Sequence, residues 1–185
     1  EEWKAAEDQL LESTMRVLAA AKRLGAGQIG YDGIGVGVGV GSILNDKKFR
    51  NHYKFMAGGK PAHPDKYYEG SHRVLNKDFF ANLKAQAWWL LADRFRNTYN
   101  AVRHGHAFDP SQMISISGKI PDRLKIKLID ELATPLRDED NTGKVKVESK
   151  KDLAKRGIES HNLADALVIA VSRDMLARKS ILDVL

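Results

Sequence analysis

Apolar residues recur at intervals of three and four along several stretches of this chain, and alternate with polar ones only briefly. In residues 5–24, Leu10, Thr14, Val17, Leu18, Ala21 and Leu24 fall near a 3.6-residue period and Gly25 stops the pattern, which predicts an amphipathic helix. The strongest helical signal covers 77–102, where Phe79, Leu83, Ala87, Leu91, Phe95 and Tyr99 return every four residues while Lys84, Asp93, Arg94 and Arg96 fall elsewhere around it. Trp88 and Trp89 lie in that apolar stripe, where core packing is a better reading than base stacking. Pro121 near its start and Leu124, Leu128 and Leu132 on one face predict a further helix from Ile120 to Leu132. A short basic helix is expected over 149–156, ended by Gly157, and a final helix over 162–176.

Strands are predicted at 28–32 and 53–56, and a β-hairpin over 134–148. In the hairpin, Asp138-Glu-Asp-Asn-Thr-Gly143 makes the turn and Lys144-Val-Lys-Val-Glu148 alternates. Gly58, Gly59, Pro61, Pro64 and Asp65 make 57–70 a loop, and 42–50 is expected to turn helical. The result is a mixed α/β pattern that 185 residues can accommodate in one domain.

Composition narrows the possible functions. Cysteine is absent, so disulfides and thiolate zinc sites are excluded. The longest apolar run is far shorter than the roughly 20 residues of a membrane span, so no membrane partner is expected. A net charge of +6 favours an acidic partner. Lys144, Lys146, Lys150, Lys151, Lys155 and Arg156 cluster in one stretch. Such a run reads either as a solvated face or as a phosphate-contacting edge, and it leads directly toward Asp165.

Two aspartates carry the candidate chemistry. Asp32 ends the strand Gln28-Ile-Gly-Tyr-Asp32, and Asp165 opens the last helix in Ser160-His-Asn-Leu-Ala-Asp165. Alone, Asp32 reads as an Asp-Gly turn residue and Asp165 as a first-turn acid that complements the helix dipole. Together they stand at a strand end and a helix start, where a backbone holds carboxylates firmly enough for a divalent ion. Hydrolysis of a phosphodiester with two such ions calls for three or four carboxylates around metals roughly 3.5–4 Å apart.

The glycine motifs are less informative. Gly25-Ala-Gly27-Gln-Ile-Gly30 lies between a helix and a strand, the wrong order for a dinucleotide site, and no G-x-x-x-x-G-K-[ST] motif is present. The alternating glycines from Gly33 to Gly41 imply either backbone passing close to a metal-bound phosphate or a tightly packed Gly/Val strand. His104 and His106, without a carboxylate beside them in the sequence, read as a solvated turn.

The segments Ile29-Gly-Tyr-Asp32-Gly-Ile-Gly-Val-Gly-Val, Leu83-Lys-Ala-Gln-Ala-Trp-Trp89, Val145-Lys-Val-Glu-Ser-Lys-Lys-Asp-Leu-Ala-Lys-Arg-Gly157 and Ser160-His-Asn-Leu-Ala-Asp-Ala-Leu167 resemble, in order and spacing, the nuclease domain of phage terminase large subunits, above all the headful-packaging branch of tailed phages. The resemblance implies an RNase H-like (resolvase-like) α/β fold, a mixed sheet flanked by helices. It also implies a Mg²⁺- or Mn²⁺-dependent endonuclease that cuts concatemeric double-stranded DNA during packaging, in the cytoplasm of the host. Implied partners are an ATPase motor domain in the parent protein, the small terminase subunit and the portal.

Of the family's three metal-binding acids, the second carries over to Asp32 and the third to Asp165. His161 replaces the proline that usually precedes the third. The first acid lies on an opening strand that the resemblance places upstream of Glu1, so the domain is expected to lack its first strands and to hold two acids of three. Lys150 or Lys151 then becomes a candidate contact to the scissile phosphate, while Glu148 and Asp152 receive no catalytic role. Two alternatives remain: a catalytically incomplete DNA- or protein-binding prophage remnant, and a resolvase-type nuclease that acts on branched DNA.

Overall fold

The computed structural model describes residues 9–71 and 73–176, which fall into two compact units, the first ending at Ala57 and the second beginning at Gly58. The predicted helix at 5–24 is observed as α1, Leu10–Arg23, and its expected first turn over 5–8 lies outside the described residues.

In the first unit, α1 buries Thr14, Leu18 and Ala21, the residues its period placed on one face. Leu18 and Ala21 join Ile29 and Leu44 in a small core, with Val17, Tyr31, Val40 and Phe49 packed against it. Strand β1 (Ile29–Asp32) pairs in parallel with β2 (His52–Phe55), Asp32 opposite Phe55. The helix α2, Val40–Asp46, lies between them in the chain. A parallel pair needs such a crossover, because no tight turn can return the chain in the same direction.

The glycine run departs from the strand reading. Gly35–Gly39 forms a 3₁₀ turn that feeds α2. Gly35 has φ +63°, left-handed backbone that a side chain resists. A Cβ at Gly37 would overlap the backbone carbonyl of Asp32. Close approach is therefore the reason for glycine here, and the group approached is the protein's own backbone.

In the second unit, the long helix predicted at 77–102 is two elements, α3 (Asn76–Phe79) and α4 (Leu83–His104). Phe80 is extended and bridges to Val145, and the chain restarts as a helix because the Asn82 side chain accepts the Ala85 N–H at 2.9 Å. Gly105, at φ +69°, ends α4. The loop before it is tied down by Gln86, whose amide accepts from Ala62 N at 2.6 Å and donates to Ala62 O at 3.1 Å. Trp88 is buried, as the stripe predicts.

Helix α5 (Asp122–Ala133) begins one residue after Pro121. The hairpin β3 (Arg137–Glu139) and β4 (Val145–Val147) is antiparallel, with Gly143 at φ +78° in its turn. Then come α6 (Lys150–Lys155) and α7 (Asn162–Leu176), both where the sequence placed them. The core of this unit is built from Phe80, Leu83, Ala87, Leu91, Val145, Leu153, Ala164, Val168 and Val171, with α7 packed against α4 and α5. Helices with one parallel and one antiparallel strand pair make the expected α/β class. No described helix is long and apolar enough to cross a membrane.

Candidate functional site

Asp32 is exposed at the end of β1. The ladder continues one residue past it, through Gly33 N donating to Phe55 O at 2.8 Å, so its backbone is fixed on both sides. Its Oδ1 accepts the Ile34 N–H at 3.0 Å, the Asx turn expected of Asp-Gly. Among the described residues Oδ2 has no partner. This carboxylate is oriented by its own turn and open on one oxygen.

Asp165 stands in the first turn of α7, with its N–H donating to His161 O at 2.9 Å. Its side chain is 22% exposed and both oxygens face ammonium groups: Lys150 Nζ lies 2.9 Å from Oδ2 and Lys84 Nζ 3.7 Å from Oδ1. Lys150 is the first residue of α6, which is capped by Ser149 accepting the Asp152 N–H at 3.1 Å. Lys84 is in the first turn of α4, behind the Asn82 cap. Three helix starts thus bring one carboxylate and two lysines together. Two positive charges against one negative leave a local surplus that favours an anion.

Three other basic residues of the stretch have partners close by. Lys146 pairs with Asp138 at 3.0 Å, Lys155 with Asp152 at 2.8 Å, and Arg156 with the buried Glu148 at 2.5 Å. Asp138 and Asp152 are held below the usual carboxylate range chiefly by the hydrogen bonds from Lys146 and Lys155 respectively. Among the described residues Lys144 and Lys151 have no ion pair. Glu148 also accepts the Leu136 N–H at 3.1 Å, and Asp152 closes the Ser149 cap, so both are structural. His104 meets Tyr99 edge-on, and His106 makes tilted ring contacts with His104 and Phe108.

Two residues of this neighbourhood escaped the sequence reading. Lys84 reads as a surface residue off the apolar stripe, although the Asn82 cap two positions earlier is a signal that it opens a helix. Glu131 of α5, buried to 7% exposure, accepts the Ala164 N–H at 2.9 Å. Nothing in its own helix pattern marks it.

Carboxylate oxygens are hard donors of the kind Mg²⁺ and Mn²⁺ take, and the two lysines show that positive charge is accommodated against both oxygens of Asp165. Among the described residues no three His, Cys, Asp or Glu side chains gather into a metal-sized group. Each carboxylate could therefore serve a divalent ion only as a single ligand of a larger set.

No protein-family model and no curated protein sequence matches the chain. Solved structures do. The nuclease domain of the large terminase subunit gp2 of bacterial virus Sf6 is 30% identical, with a TM-score of 0.75 over 91% of this chain and 73% of that one. A lysine-to-alanine mutant of that domain with manganese and beta-thujaplicinol is 29% identical, with a TM-score of 0.80 over 91% and 73%. A mutant with calcium is 30% identical, with a TM-score of 0.74 over 89% and 71%.

Proposed function

Because the chain belongs to the nuclease domains of phage terminase large subunits, with their RNase H-like fold, we propose that it is a divalent-metal-dependent endonuclease that cuts concatemeric viral double-stranded DNA for packaging. The observation that carries this reading is the Lys84–Asp165–Lys150 cluster at the start of α7. It provides a metal-type ligand with two phosphate-type cations 2.9 and 3.7 Å from its oxygens.

In this reading Asp32 and Asp165 are each a carboxylate ligand for a divalent ion, Mg²⁺ or Mn²⁺, and further ligands complete the set. The manganese and calcium complexes of the Sf6 domain support the choice of a divalent ion. When bound, such ions supply a nucleophilic water at neutral pH and neutralise charge on the leaving oxygen.

The remaining roles belong to this chain's own side chains. The Asx turn aims Asp32, and the α7 backbone aims Asp165. With Asp165 holding an ion, the ammonium groups of Lys84 and Lys150 would be released from their carboxylate partner and available to an anion. In a nuclease that anion is the scissile phosphate, whose charge grows as the water adds. Lys84, its side chain only 22% exposed, is the less hydrated of the two and the more committed to such a partner. Lys144 and Lys151 extend positive charge along the DNA path. The motor domain, small subunit and portal would be the partners of the parent protein.

A plasmid-nicking assay on the full-length protein tests this function. Supercoiled DNA should be relaxed and linearised with Mn²⁺ or Mg²⁺ and left intact with EDTA. DNA bound but uncut under all metals would instead mark a non-cleaving binder, and preference for a four-way junction over linear duplex would mark a resolvase-type enzyme.

A further inference from the structure

Helix α7 begins without the cap that a helix start normally draws from its own sequence. The donor an N-cap side chain usually satisfies is the N–H of the second or third helical residue. In α7, which starts at Asn162, the third is Ala164. The preceding residue is His161, 4% exposed, and among the described residues its ring makes no hydrogen bond to this turn. Ser160 directs its hydroxyl to the Asn162 side chain at 3.0 Å instead.

The Ala164 N–H is taken by Glu131 Oε2 at 2.9 Å, from a different helix 33 residues upstream. The side chain of Glu131 is 9% exposed. Its other oxygen, Oε1, is buried without a hydrogen-bond partner among the described residues and has Lys127 Nζ at 3.7 Å. A buried carboxylate with one underused oxygen is a costly way to cap a helix. It gives a full negative charge against the positive end of the α7 dipole and a rigid tie between α5 and the residue next to Asp165.

We propose that Glu131 is a positioning residue of the nuclease site. It fixes the first turn of α7 and thereby holds the Asp165 carboxylate in the orientation that a divalent ion requires. The inference rests on reading Asp165 as a metal ligand. Glu131 acts through the backbone and touches neither substrate nor ion. Partners behind a metal ligand fix its orientation in just this way, and losing one weakens metal affinity by about 10–100-fold.

The test compares Glu131→Met, Glu131→Gln and, as a control on the same helix, Leu128→Ala, all in the full-length protein. Glutamine keeps an oxygen for Ala164 N–H, methionine keeps only the volume, and Leu128→Ala removes buried volume from α5 while leaving the Glu131 carboxylate in place. Two measurements are read: Mn²⁺ binding by calorimetry, and amide exchange at the start of α7 without metal. Glu131→Met should weaken Mn²⁺ binding by about tenfold or more and speed α7 exchange by a similar factor. Glu131→Gln should stay within about threefold of wild type in both, on the same scale, and Leu128→Ala should lower the melting temperature with Mn²⁺ affinity unchanged. Wild-type affinity in Glu131→Met, or an equal loss in Leu128→Ala, would overturn the proposal. Absence of Mn²⁺ binding by the wild type would defeat the proposed function rather than the anchor. Unchanged exchange in Glu131→Met would then defeat the anchor separately.

Discussion

Gly37 shows how one residue can be constrained by its neighbour's backbone. A methyl group there would collide with the Asp32 carbonyl, which cannot rotate away as a side chain could. Gly37→Ala should therefore destabilise the protein by about 1–3 kcal/mol, the scale of overpacking. Gly27→Ala, where an added Cβ meets nothing within 4 Å, should be nearly silent. Thermal melts of the two variants check this. The alternation of glycine and valine from Gly33 to Gly41 could not reveal it, because alternation is also a strand signal and the deciding contact is to a carbonyl. The position of Asp32 was legible because a short apolar strand running into Asp-Gly has few other solutions. Lys84 was not, because helical periodicity separates apolar from polar faces and says nothing about which polar residue meets a carboxylate from another helix.

Among the elements, the short helix α6 is held mainly at its ends. Ser149 caps it, the Ser149 hydroxyl donates to Asp152 Oδ2 at 2.6 Å, and Gly157 leaves it at φ +74°. Removing that cap with Ser149→Ala should cost about 1 kcal/mol. It should also lower cleavage, because α6 carries Lys150 to Asp165; melting and nicking measured on the same preparation check both. The hairpin and α6 also share an acid dependence. Asp138, Asp140 and Asp152 have carboxyls lowered from their ordinary value of 3.8, first by Lys146, Thr142 and Lys155 respectively. Depressed folded values mean that the stabilisation is complete above that ordinary value and is lost as pH falls through the folded ones. Protection of the 137–157 amides, corrected for their intrinsic exchange rates, should therefore fall below about pH 3.8, and a segment equally protected at pH 2.5 and 5 would argue against these interactions. Hairpin, α6 and α7 were readable from sequence, since turn residues, a Ser cap and terminal glycines are local signals. The break between α3 and α4 was not, because the bridge from Phe80 to Val145 joins residues far apart in the chain.

For the molecule as a whole, the basic stretch 144–156 offers DNA fewer free charges than its six cations suggest. Of the six basic residues singled out between 144 and 156, Lys146, Lys150, Lys155 and Arg156 are engaged by carboxylates. Lys151→Ala should thus reduce the salt dependence of DNA binding by about one counterion, and Lys155→Ala by clearly less, measured with Ca²⁺ in place of a cleaving metal. The central claim concerns the two aspartates, and Mn²⁺-dependent nicking by wild type, Asp32→Asn and Asp165→Asn tests it most directly. With folding of each variant confirmed, both substitutions should cut the rate by at least about 100-fold, the upper reach of outer-shell changes. Cleavage that survives either substitution at the wild-type rate would contradict the assignment of that aspartate to the metal.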